Sequence, residues 1–160
     1  MTDISNRVHE LAGLLIERNF FLSTAESCTG GLIGHLLTNQ PGSSVWYMGG
    51  AVAYSNSLKT GILGVDEDLL VKHGAVSSEC VLSMVKGVSD LTGSQVCIAV
   101  SGIAGPDGGT PDKPVGTVYI AWGGSGDFWW EKNIFSGGRH EVKFQSAERA
   151  IEALVQYLLK

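Results

Sequence analysis

FFLSTAESCTGGLIGHLLT, residues Phe20 to Thr38, decides how this chain folds. FFLSTAE (20–26) is apolar and of strand length, and CTGGLIGHLLT (28–38) spaces its apolar residues for a helix. A strand feeding straight into a helix points to a sheet layered with helices. Between the two, the chain sets Ser27, Cys28 and Thr29 side by side and closes the turn on Gly30 and Gly31. Three possible nucleophiles therefore stand in a row.

The pattern extends outward in both directions. Ile4, Val8, Leu11 and Leu15 predict an amphipathic helix over 4–18. Downstream, WYMGGAVAYS (46–55) reads as a second strand and NSLKTGIL (56–63) as a short helix. A small helical turn ends at His73 and Gly74. The next helix starts at Ser77 and buries Val81, Met84, Val85, Val88 and Leu91. SQVCIAVS (94–101), an apolar run flanked by glycines, suits a central strand. After the loop GIAGPDGGTPDKPV, GTVYIAW (116–122) and DFWWEKNIF (127–135) form a hairpin through GGSG. Trp129 and Trp130 must face opposite ways, one to the core and the other to a dimer contact, a ligand wall or, as the ordinary case, a sheet face covered by a helix. GGRHEV opens a last helix, periodic in Phe144, Ala147, Ile151, Leu154, Val155 and Leu158. The order α-β-α-β-α-α-β-β-β-α predicts an α/β fold: a three-layer α/β/α sandwich with a mixed, mostly parallel sheet, residues 1–160 forming a single domain.

Composition narrows the function. The chain is 44% hydrophobic and 17% charged, which is globular, and its net charge is −5. Its basic residues are scattered, so nucleic acid is not an expected partner. No apolar run reaches membrane-span length and the charged N-terminus is unlike a signal peptide, so a cytoplasmic location is expected. Cys28, Cys80 and Cys97 lack CxxC spacing and read as reduced thiols. Twenty-two glycines are about twice the usual share, and they gather at turns.

In such sheets ligands collect at the carboxyl ends of strands. AESCTGG, YSNSLK, SGIAGPDGG and FSGGR all fall there. In AESCTGG a helix start offers unpaired N–H groups and a positive dipole end, and Gly30 and Gly31 keep side chains away. Equally, Ser27 or Thr29 could be an ordinary N-cap, and Glu26 either a solvated strand end or an anchor of the turn. Lys59 in YSNSLK is either solvated or, if buried against Ser27, half of a Ser–Lys pair. Such a base requires its pKa to fall about three units, roughly 4 kcal/mol, through desolvation or a nearby cation such as Arg139. His35 sits about 12 Å up the helix axis from Ser27, out of reach. His9 has no motif near it; His73 and His140 stay open as bases, though neither is flanked by a recognisable orienting carboxylate. No HExxH or His pair suggests a metal, so metal-free chemistry without a cofactor is expected. SGIAGPDGG is a flexible turn or a backbone cradle for a phosphate or carbonyl. Arg139 suits bidentate anion binding or a surface ion pair.

Taken together, TAESCTGG, PGSSVWYMGGAVAYSNSLK, HGAVSSE, VSGIAGPDGG with KPVGTVYIA, and FSGGR resemble the C-terminal domain of CinA-type competence/damage-inducible proteins. The resemblance runs in order along nearly the whole chain. Stand-alone domains of this family are nicotinamide-nucleotide amidohydrolases, which deamidate nicotinamide mononucleotide in pyridine nucleotide recycling. The resemblance therefore implies that small molecule as substrate, a metal-free Ser/Lys mechanism and a homodimer. It implies Ser27 as nucleophile and Lys59 as base, with Cys28 a structural neighbour and Tyr54 orienting Lys59 or the substrate. Backbone N–H groups of Thr29, Gly30 or Gly31 would hold the oxyanion, Ser101 and Gly102 would line the pocket, and Arg139 would take the phosphate. The alternative is a non-catalytic nucleotide-binding module.

Overall fold

The computed structural model describes residues 3–124 and 126–160. Its elements are α1 (Asp3–Arg18), β1 (Leu22–Glu26), α2 (Leu32–Thr38), β2 (Tyr47–Val52), α3 (Asn56–Leu63), α4 (Glu67–His73), α5 (Ser78–Thr92), β3 (Val96–Gly102), β4 (Thr117–Gly124), β5 (Asp127–Ile134) and α6 (Arg139–Leu158), with a 3₁₀ turn at Ser43–Val45. The expected order is reproduced with one addition: the small helical turn ending at His73 is a helix in its own right, so three helices instead of two separate β2 from β3. Ser125, part of the GGSG connection, lies outside the described residues.

The five strands form one sheet in the order β2-β1-β3-β4-β5. β1 pairs in parallel with β2 and β3, whereas β4 runs antiparallel to both β3 and β5. Four strands thus point one way and β4 reverses, which makes the sheet mixed and mostly parallel. Central position explains composition: β3 is buried on both faces and reads VCIAVSG, an almost unbroken apolar run.

The two faces carry different side chains. On one, Leu22, Ile98, Val100, Ile120 and Trp122 meet Val8, Leu11 and Leu15 of α1, Ile33 and Leu37 of α2, and Ile151 and Leu154 of α6. On the other, Ala25, Cys97, Ala99 and Ala121 meet Val81, Met84, Val85 and Val88 of α5, with Leu63 of α3 beside them. Small residues let the second layer ride close to the sheet. The approach between helices there is equally tight: a Cβ on Gly87 would lie 2.0 Å from the Leu63 carbonyl oxygen.

Three details depart from the sequence reading. Leu91, next to the last residue of α5, is 58% exposed, and Phe144, in the second turn of α6, is 39% exposed. Trp129 packs toward the core beside Trp122 and Tyr157, as alternation requires, but Trp130 stays 46% exposed beside Tyr119 on edge strand β5. Finally, α2 begins at Leu32, four residues after the expected start.

Two glycine substitutions should move stability in opposite directions. Gly87→Ala forces a methyl group against backbone and is expected to destabilise by about 1–3 kcal/mol. Gly13→Ala, in α1 with nothing within 4 Å, should stabilise by about 0.5–1 kcal/mol through helix propensity. Thermal melts of both variants check the pair.

Candidate active site

The late start of α2 has a specific cause. Glu26, only 2% exposed at the end of β1, turns its carboxylate under the turn that follows. It accepts the Thr29 hydroxyl at 2.6 Å and the N–H groups of Gly31, Ile33 and Gly34 at 3.1, 3.1 and 2.9 Å. A glutamate at the end of β1, outside the helix and not at its cap position, thus satisfies orphan donors of α2. Gly31 precedes the helix with φ 100° and no side-chain cap, so neither Ser27 nor Thr29 is the N-cap. Glu26 anchors the turn.

Ser27 is consequently left with its hydroxyl uncommitted. Its N–H donates to the Val100 carbonyl at 3.0 Å, and its carbonyl accepts the Gly30 N–H at 3.0 Å. Alternation along β1 sends Glu26 toward α2 and Ser27 toward the layer that holds α3. There it lines a cleft of about 300 Å³ together with Tyr54, Lys59, Ser101, Gly102 and Arg139. The structure brings together six of the nine site residues read from the sequence. Thr29, Gly30 and Gly31 form the turn behind that wall. Gly30 has φ 60°, a left-handed conformation that suits glycine.

Lys59 is 1% exposed, unusual for a residue type that is almost never fully buried without a partner. Its Nζ donates to the Tyr54 carbonyl at 2.9 Å. Burial lowers its pKa below the ordinary lysine value, while the Cys80 and Cys28 thiols oppose the shift. Among the described residues no hydrogen bond joins Lys59 Nζ to Ser27 Oγ. Cys28 next door is 5% exposed, and burial pushes its thiol up to about 12, which disfavours the thiolate that sulfur nucleophiles need.

Tyr54 plays two parts. Its carbonyl holds Lys59, and its hydroxyl accepts from Arg139 Nη2 at 3.1 Å. Arg139 Nη1 donates to the Gly105 carbonyl at 2.7 Å, so the guanidinium spans the cleft from the α3 side to the loop after β3. Ser101 donates its hydroxyl to the Ala75 carbonyl at 2.8 Å. Gly102 is a packing glycine, since a Cβ there would lie 2.6 Å from Val118. Sequence reasoning passed over Asn56, Ala75, Val76, Ile103 and Asp107, which also line the cleft. Each lies within a motif already singled out, HGAVSSE, YSNSLK or SGIAGPDGG, so the signal was the motif and not the residue.

With this geometry in view, the relatives are informative. The family model described as the CinA C-terminal domain matches residues 4–158. A protein of Pseudomonas putida called nicotinamide-nucleotide amidohydrolase PncC is 46% identical over 98% of each chain. A CinA-like protein of Thermotoga maritima is 51% identical over 91% of this chain, which spans only 35% of that relative's length. Among solved structures, competence/damage inducible protein CihA of Agrobacterium tumefaciens superposes with a TM-score of 0.96 at 35% identity, covering 100% of this chain and 98% of its own. The competence damage-inducible protein A of Klebsiella pneumoniae gives 0.95 at 37% identity, covering 99% and 98%. The family-model match over residues 4–158, with the Pseudomonas putida protein matched along nearly its whole length, makes the chain a member of the CinA C-terminal domain family.

Proposed function

We propose that this chain hydrolyses the carboxamide of nicotinamide mononucleotide, giving nicotinate mononucleotide and ammonia, with Ser27 as nucleophile and Lys59 as base. The observation that carries the reading is Lys59: a lysine buried at 1% exposure, its basicity lowered by that burial, in the same cleft as an uncommitted serine hydroxyl. The name and full-length match of the Pseudomonas putida relative supply the substrate.

In this mechanism neutral Lys59 takes the Ser27 proton as Oγ attacks the carboxamide carbon. Apo geometry leaves such contacts long, and substrate tightens them. The oxyanion needs donors not already in use. The Gly31 N–H is held by Glu26 and the Gly30 N–H by the Ser27 carbonyl, so those two glycines serve by shape. Of the remaining turn residues Cys28 lines the cleft, and its N–H, which meets no acceptor in another residue among the described ones, takes the role, worth about 3–4 kcal/mol of barrier. Lys59 then passes its proton to the amide nitrogen and ammonia leaves. Water, deprotonated by the same lysine, cleaves the acyl-serine ester to the acid.

Arg139 is assigned to the phosphate: two of its five N–H groups are engaged within the protein and the rest face outward. No metal or cofactor enters the scheme. A cytoplasmic location accords with three buried free cysteines, and no helix among the described residues is long and apolar enough to cross a membrane. We assign the homodimer to the edge of the sheet, where Met48 and Val52 of β2 and Leu58 and Ile62 of α3 are 41–50% exposed. The second reading, a non-catalytic nucleotide-binding module, draws on the missing Ser27–Lys59 hydrogen bond.

Ammonia release from nicotinamide mononucleotide decides between the two. Ser27→Ala and Lys59→Ala should each lose about a thousandfold or more in kcat, whereas Cys28→Ala stays within about tenfold of the parent. Full loss in Cys28→Ala with an active Ser27→Ala would refute the assignment. A base must be neutral, so kcat/KM should climb with pH through an inflection below about 10.4; Lys59→Arg, permanently charged, should be inactive at every pH. Sedimentation should find a dimer that Met48→Lys with Ile62→Lys converts to monomer.

A further inference from the structure

The cleft contains one group that the proposed mechanism leaves idle. Asp107 is the single carboxylate among its lining residues, which also include the Lys59 amine and the Arg139 guanidinium. Yet it forms no ion pair with either and has no hydrogen-bond partner among the described residues. An ionised carboxylate is an acceptor only. One that lines a cleft with a guanidinium and an amine and pairs with neither is available to a donor that arrives from outside.

Nor is Asp107 a loose loop residue. On one side the Gly105 carbonyl is tied to Arg139 at 2.7 Å. On the other, Gly109 packs so closely that an added Cβ would lie 2.7 Å from the Val115 nitrogen. Beyond it the loop closes through Thr110 N–H to the Lys113 carbonyl at 2.8 Å and Lys113 N–H to the Thr110 hydroxyl at 3.0 Å. Lys113 Nζ pins this turn to the His73 carbonyl at 3.0 Å. The carboxylate is presented by backbone fixed on both flanks.

Pyridine mononucleotides have few donors to offer it. The carboxamide is required at Ser27, and the phosphate is all acceptor. The sugar hydroxyls remain, and a carboxylate accepting from a ribose diol is a recurrent solution in nucleotide sites. We propose that Asp107 is the specificity-determining residue for the sugar, accepting hydrogen bonds from the vicinal hydroxyls of a ribonucleotide. The inference rests on the mononucleotide reading above and adds a selection that reading does not contain: ribose over deoxyribose.

The test is a cycle of protein against substrate. Parent, Asp107→Ala and Asp107→Asn proteins are assayed for ammonia release from nicotinamide mononucleotide and its 2′-deoxy and 3′-deoxy analogues. In parallel, calorimetry on the Ser27→Ala background, alone and combined with each Asp107 change, follows binding of the same three compounds. The parent should favour the ribonucleotide in kcat/KM by about ten- to a hundredfold, the range of a hydrogen bond to a charged acceptor. Asp107→Ala should erase that preference, losing activity on the ribonucleotide and little on the deoxy analogues, with Asp107→Asn in between. An equal loss on all three, or a preference that survives in Asp107→Ala, overturns the assignment. Should the parent release no ammonia while calorimetry still shows an Asp107-dependent ribose preference, the deamidase reading falls and the sugar site stands. Binding that ignores both the sugar and residue 107 removes it.

Discussion

Everything at the working end of this protein depends on where one buried negative charge is placed. Glu26 gathers a hydroxyl and three backbone N–H groups into a single carboxylate, each contact strengthened by the charge. Because that carboxylate does the capping, Ser27 does not have to. Had the serine been the N-cap, its oxygen would be spent accepting from the helix. Instead the helix starts at Leu32, the serine hydroxyl stays unengaged, and the N–H just after it is spare. Capping and nucleophilicity are separated onto neighbouring residues that point to opposite faces of the sheet.

The opposite face has its own logic. Its small side chains, Ala25, Ala99 and Ala121, let helices lie close, and closeness removes water. A lysine side chain is thereby enclosed on the side of the sheet that has least bulk to displace. Its ammonium end keeps one carbonyl acceptor, that of Tyr54, which fixes direction without supplying an anion. A carboxylate there would have raised the lysine pKa; a neutral carbonyl leaves desolvation dominant. The nearby Cys28 shows the same desolvation acting on an acid: its thiol is pushed up to about 12. One dry environment thus favours the neutral amine and the neutral thiol together, which is why the proposed mechanism runs through the hydroxyl and not its neighbour.

Much of this could be read from the residues. Strand-length apolar runs and 3.6-residue periodicity gave the element order, because those signals come from burial, which the sheet and helices obey. Boundaries failed where a tertiary contact intervened. No local rule says that Glu26 will reach forward under its own turn, so periodicity starts α2 four residues early and leaves Ser27 and Thr29 as possible caps. Leu91 and Phe144 kept helical period but not burial, since periodicity locates a face and not the end of the sheet beneath it. Ser27, Lys59 and Arg139 were found through motif resemblance. Asp107 and Asn56 sat within the same motifs and went unremarked, as a polar residue in a glycine-rich loop carries no signal of which way it points.

The contact between Gly87 and the Leu63 carbonyl carries a consequence for how such a domain can diverge. α3 holds Lys59 one helical turn before Leu63, so the height of the amine above the sheet is gauged by a hydrogen atom on a helix that never touches the reactants. A lineage can alter loops at the mouth freely and still inherit the same spacing between oxygen and nitrogen. Change that remote hydrogen to anything larger, and the spacing drifts while every residue of the cleft remains identical. The geometry that the proposed chemistry needs would then be lost silently, with the complete set of cleft residues still spelled out in the sequence.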